Sequence, residues 1–215
     1  MNPGFYTADM RLDNLFAISL LTSATAAVTL PRRDATFESS TPVTKEITLP
    51  DGRTRTAMFF AEFTPENSAD APAPISPHPN AKRGWTPSSS FYDLCGGSTF
   101  TNNWNSNAPL VDDCQFLQQY FSSTGGYFRV ENSDLDANGV SWSRLVSINT
   151  CGFSVRANPR PATAGYIGNT DVADLVRDSI SGFSQNSQVS VGGNTGCQDA
   201  DGSQWHPDWL IQRFT

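Results

Sequence analysis

Four cysteines, Cys95, Cys114, Cys151 and Cys197, constrain this chain more than any other feature. The first 94 residues contain none. An even set gathered in one region reads as a disulfide framework, and disulfides persist in oxidising, extracellular settings. Four cysteines allow three connectivities. The elements around them narrow the choice.

"APLVDDCQFLQQYF" (108–121) places Leu110, Cys114, Leu117 and Phe121 at helical spacing. Ser106 or Asn107 can cap this helix, and Pro109 fits its first turn. Asp112 and Asp113 sit near the positive end of the helix dipole. Helix stabilisation explains that pair better than catalysis. "GNTDVADLVRDSISGF" (168–183) reads as a second helix, with Val172, Leu175, Val176, Ser179 and Phe183 on one stripe and Ile180 beside it. Asn169 or Thr170 can cap it, Asp171 lies in its first turn, and Gly182 fits its exit. Asp174 and Asp178 fall on the solvent face with Arg177 nearby.

Strands are expected at 98–104, 126–131, 141–157 and 187–193. The order β-α-β-β-α-β predicts an α+β fold, a split β-α-β sandwich. It has one antiparallel-rich sheet with two helices on one face. In that arrangement the first and last strands are antiparallel neighbours. Cys95 just precedes one and Cys197 just follows the other, so the two can meet. Cys114 faces inward from the first helix, above Cys151 on a central strand. The predicted bridges are Cys95–Cys197 and Cys114–Cys151, each worth about 4–5 kcal/mol by chain entropy. That is comparable to the whole stability of a small domain.

Three segments precede this region. "LFAISLLTSATAAV" (15–28) is a short apolar run ending in small residues, as a secretion leader does. Residues 1–27 are therefore expected to be a signal peptide. A start at Met10 would give a more ordinary flank, "MRLDN". Residues 28–63 read as a pro-like segment, with two short strands around Asp51-Gly52. Residues 64–83 form a proline-rich linker ending in Lys82-Arg83. Secretory processing proteases cut after such pairs in extended chain. Cleavage is expected after Arg83, with Arg32-Arg33 a second candidate.

The mature part, 84–215, then has 132 residues, six arginines, no lysine and twelve carboxylates. Its net charge of −6 disfavours nucleic acid and anionic membranes as partners. No second apolar run predicts a stable membrane anchor.

"LCGGSTFTNNWNSNAPLVDDC", "NTCGFSVRA", "GYIGNTDVADLVRDSI" and a last "GC" and "GSQW" resemble a family of secreted fungal effectors. These are the relatives of extracellular protein two of the tomato leaf-mould fungus, the necrosis-inducing factor family. The resemblance spans roughly residues 92–209 and includes all four cysteines. It implies virulence and induction of plant cell death. Similar domains joined to fungal chitinases imply a toxin-like, antagonistic role. The family carries no established catalytic residues, so none transfers to this chain.

The residues agree that chemistry is sparse. His78 and His206 are the only histidines, which excludes a two-histidine ribonuclease in the mature part and disfavours a zinc site. No G-x-S-x-G elbow is present. "DLDANG" (134–139) opens like a calcium loop, but its twelfth position is Leu145 rather than Glu. A polar turn is expected there, and again at "DADG" (199–202). Of the five tryptophans, Trp205 and Trp209 in "WHPDW" are the candidate binding patch. The expectation is a secreted, extracellular, non-enzymatic effector without cofactor or metal. It would bind a host protein or cell-wall component. The alternative is an antimicrobial, killer-toxin-like protein against competing microbes.

Overall fold

The computed structural model describes residues 42–60, 84–157 and 159–214, all within one unit, Glu38–Thr215. The expected leader, the Arg32-Arg33 pair and the linker with Lys82-Arg83 lie outside the described residues.

Asp51-Gly52 reverses the chain as its sequence predicts. Gly52 adopts φ +86°, its N–H donates to the Leu49 carbonyl, and the Arg53 N–H donates to Asp51 Oδ1. The flanking strands β1 (Val43–Thr48) and β2 (Thr54–Phe59) pair antiparallel. Along the chain follow β3 (Gly84–Pro87), β4 (Cys95–Ser98), β5 (Thr101–Asn102) and helix α1 (Val111–Ser123). Next come β6 (Gly126–Glu131), a 3₁₀ turn (Asn132–Asp134), β7 (Ser143–Ile148), β8 (Cys151–Arg156) and β9 (Ala164–Gly168). Helix α2 (Asn169–Phe183) leads to β10 (Val191–Gln198), β11 (Gln204–Trp205) and β12 (Asp208–Gln212).

The strands form two antiparallel sheets. The larger runs β1-β2-β7-β8-β12-β10-β11, with β4 and β5 also on β10. The smaller runs β3-β6-β9. The α+β class, with two helices among the described residues and mostly antiparallel strands, is the one the sequence predicts. The single expected sheet is departed from for two identifiable reasons, an added strand in the larger sheet and a second sheet built on β9. Stretch 141–157 is a hairpin rather than one strand, because Asn149 reverses the chain at φ +47°. Asn tolerates that conformation, but the hydrophobic alternation runs straight through it. The second reason is β9, "AGYIG", too short and small to announce itself. It pairs with β6 from Tyr127–Gly168 to Glu131–Ala164 and draws β6 out of the larger sheet.

Cys95 is bonded to Cys197, its direct partner across β4 and β10. Cys114 on α1 is bonded to Cys151 at the start of β8. These are the pairs that strand order anticipates. The helices pack on each other; α1 also lies against β7 and β8, and α2 against β9 and β6. Trp85, Phe116, Leu117, Phe121, Phe128, Phe153 and Val176 are wholly buried between them.

Helix α1 starts later than expected, with Leu110 at its N-cap. Asn105 uses its side chain on the Asn107 N–H instead, and the Leu110 N–H donates to Thr150 Oγ1. Leu110 itself is exposed rather than part of the buried stripe. The hairpin 43–60 is built into the larger sheet. Ala57, Met58 and Phe59 pair with Ile148, Ser147 and Val146, and Ile47, Leu49, Ala57 and Phe59 are buried.

Candidate functional site

The "WHPDW" tryptophans do not form a surface patch, which corrects that expectation. Trp205 is 3% exposed and Trp209 1%. Trp205 lies so close on β9 that a Cβ at Gly165 would sit 2.0 Å from its ring. Trp209 takes an edge-on contact from Phe100, which also stacks on Phe183. Both indoles close the core under the last strand.

The loop motifs are spent on turns. Asp136 accepts backbone N–H groups from Asn138, Val140 and Ser141, which hold its carboxyl below the usual range. Asp134 accepts the Glu131 N–H. Asp199 accepts the Ala162 N–H, and Gly202 turns the chain at φ +85°. Arg177 pairs with Asp174 and Asp178 on the exposed face of α2, as the spacing predicts.

Asp171 has a different role. It is only 6% exposed, and it accepts N–H groups from Gly168 at 2.7 Å, Leu94 at 3.0 Å and Cys95 at 3.1 Å. Asn169, also buried, accepts the Tyr92 N–H at 2.8 Å and donates to the Phe121 carbonyl at 2.9 Å. The N-terminus of α2 thus clamps segment 92–95, which carries a disulfide cysteine. Burial pushes the Asp171 carboxyl up to about 7, and the adjacent Asp93 carboxyl acts in the same direction. Beside this clamp lies a cleft of about 210 Å³, lined by Asp93, Gly96, Ser98, Phe100, Asp174 and Arg177. A raised carboxyl in a cleft can serve acid catalysis. Here three backbone donors already occupy it, so a structural latch accounts for its position.

The second concavity, about 290 Å³, is a groove across β10. Its floor is Gly192-Gly193, and Thr99 and Asn103 from the β4–β5 region close over it. A Cβ on Gly193 would lie 1.8 Å from the Thr99 carbonyl oxygen, so the close approach requires glycine. Asn194 is fixed by its backbone: its N–H donates to Thr99 Oγ1 at 2.9 Å, and that hydroxyl donates back to its carbonyl. Its amide donates to the carbonyls of His206 and Pro207 at 3.2 Å and to Asp208 Oδ1 at 3.3 Å. Arg156 lies 4.4 Å over the half-buried Trp142 ring while its Nε donates to Asp208 Oδ2 at 3.1 Å. The groove therefore offers an indole edge, a guanidinium–carboxylate pair, an amide oxygen and hydroxyls around a rigid strand. Such a set orients a polar ligand by hydrogen bonds and stacking. Sequence reasoning missed it because its residues come from five separate stretches. The one local signal is the Gly-Gly pair inside a predicted strand.

Residues 94–197 match the family model Hce2, described as "Pathogen effector; putative necrosis-inducing factor". This stretch begins one residue before Cys95 and ends at Cys197. Residues 94–197 are thus similar to that effector family. No curated protein matches the chain. Both disulfides, the Asp171 clamp and most of the groove fall inside the matched stretch. Asp208 and Trp209 follow it, and the hairpin 43–60 precedes it. Among the described residues, no helix is long and apolar enough to cross a membrane.

Proposed function

We propose that this protein is a secreted effector that acts by binding a host component, a protein or a cell-wall constituent, without catalysing a reaction. The observation that carries the reading is the effector-family match over a module cross-linked twice by disulfides. Disulfides suit an exported domain that must keep one shape outside the cell. The leader-like apolar run at 15–28 supports export.

Binding is favoured over catalysis because the buried carboxyl groups of Asp171 and Asp113 are engaged by the fold. Asp171 holds three backbone donors. Asp113 holds the Asn149 amide and the Thr150 N–H and hydroxyl. The Trp142–Arg156–Asp208–Asn194 groove is the recognition surface we assign. Its side chains are pre-positioned by the sheet, which lowers the ordering cost of binding.

Infiltration of purified protein into plant tissue tests this, with Trp142→Ala and Asn194→Ala variants whose circular dichroism shows the native fold at the assay temperature. A microbial growth assay runs in parallel. Necrosis by wild type that weakens at least several-fold in the variants is the expected result. Growth inhibition of microbes without any plant response would favour the killer-toxin alternative. Hydrolysis of a glycan panel, abolished by one carboxylate substitution, would replace binding with catalysis.

A further inference from the structure

The hairpin β1–β2 occupies a defined seat on the rest of the molecule. Arg55, Ala57 and Phe59 alternate along β2, so all three point to the same face. The Arg55 guanidinium bridges Asp112 and Asp113 in the first turn of α1. Arg55 and Arg53 also lie over the Phe116 ring, at 5.1 and 5.7 Å. Ala57 is fully buried against β7, opposite Ile148. Phe59 stacks on Trp85 at 6.4 Å and meets Tyr120 edge-on at 6.4 Å. The Phe60 N–H extends the pairing by donating to the Leu145 carbonyl at 3.0 Å. The seat therefore reads acidic, small, aromatic from one end to the other, beside the hydrogen-bonding edge of β7 that β2 covers. The hairpin contains no cysteine, so only residues 61–83 tie it covalently to the disulfide-linked part. Those residues end in Lys82-Arg83.

We propose that this seat is a strand-binding site filled by the protein's own hairpin, which stays bound without a covalent link once the chain is cut after Arg83. The processed protein is then a two-chain particle, residues 42–60 on 84–215, rather than 84–215 alone. The contacts explain why. Release would bare the β7 edge and uncover Trp85 and Tyr120, apolar surface that water penalises. It would also strip Asp113 of its Arg55 partner while leaving that carboxylate in its buried position. The same seat fits any extended segment with a basic, a small and an aromatic residue at alternate positions, which is recognition by strand addition.

The test uses the full chain, cut by a protease specific for Lys-Arg and weighed under native and denaturing conditions. Denaturing spectra verify the cut by showing two chains. The expected native mass is their sum, and the melting temperature stays near that of the uncut protein. In the cut Arg55→Ala and Phe59→Ala variants, the native mass falls towards 84–215 alone. Melting of Phe59→Ala drops by roughly 10 °C. The cut wild type needs no substitution, so a variant that fails to fold leaves the test intact. A native mass of 84–215 alone, with melting unchanged from the uncut chain, would overturn the proposal.

Discussion

Thr150 donates its hydroxyl to Asp113 Oδ2 at 2.6 Å, one residue from Cys151, which is bonded to Cys114. Two adjacent residues of α1 thus hold two adjacent residues of the β7–β8 turn, one pair by a carboxylate and one by sulfur. Asp113→Ala would leave the Thr150 N–H and hydroxyl and the Asn149 amide without their acceptor, and Arg55 with Asp112 alone. A loss of about 3 kcal/mol is expected in denaturant unfolding. Thr150→Val, which removes one hydroxyl and strands the Leu110 N–H, should cost less, about 1–2 kcal/mol.

The two bridges should differ in weight. Cys95–Cys197 spans 102 residues and Cys114–Cys151 spans 37. Chain entropy assigns the longer about 4.7 kcal/mol and the shorter about 4 kcal/mol. The Cys95→Ala/Cys197→Ala double variant should therefore unfold at lower denaturant than Cys114→Ala/Cys151→Ala. The margin should be widened by loosening of the Asp171 clamp, which grips the Cys95 N–H. Equal midpoints would show that loop length and the clamp contribute little.

How much of this was legible in the sequence follows from range. Local features read well: the Asp51-Gly52 turn, both helices and the exposed Asp174–Arg177–Asp178 cluster; the cysteine partners followed from the expected strand order. Features set by distant contacts did not. The β7–β8 reversal at Asn149 hides inside unbroken alternation, and β9 is five small or buried residues with no period to detect. Trp205 and Trp209 read as a surface patch because polar His206 and Asp208 stand between them. In fact strand alternation turns the indoles inward. The hairpin read as detachable because nothing in its own residues reveals that Arg55 has Asp113 waiting 58 positions later. The groove depends on Thr99, Trp142, Arg156, Asn194 and Asp208, which meet only through sheet order.

Asp171 makes the fold sensitive to pH. In the folded protein it keeps its proton up to about pH 7, against an ordinary value of 3.8. Between those values the folded state holds more protons than the unfolded chain, so raising pH lowers stability. The contribution is fully present below about pH 4 and is lost as pH passes through 7. Melting curves across this window should fall with pH in wild type. Asp171→Asn should remove that part of the slope and also lower stability throughout, because its amide NH₂ faces backbone donors. A wild-type slope that matches the variant's would refute the assignment.

Gly165 is needed for closeness rather than flexibility. A Cβ there would lie 2.0 Å from the Trp205 ring, which is itself buried. Gly165→Ala should cost about 1–3 kcal/mol through overpacking, read by unfolding. Gly182→Ala, where a Cβ meets nothing within 4 Å, should be neutral or slightly stabilising because alanine favours helix. The reverse order would contradict the packing described.

A titration with reductant reaches furthest. Free thiols, near-ultraviolet circular dichroism and tissue necrosis would be followed on the same samples as the two bridges open. A binding surface held by disulfides predicts that necrosis and tertiary structure are lost together, within one transition. Necrosis that persists after both bridges are reduced and the fold has melted would contradict it.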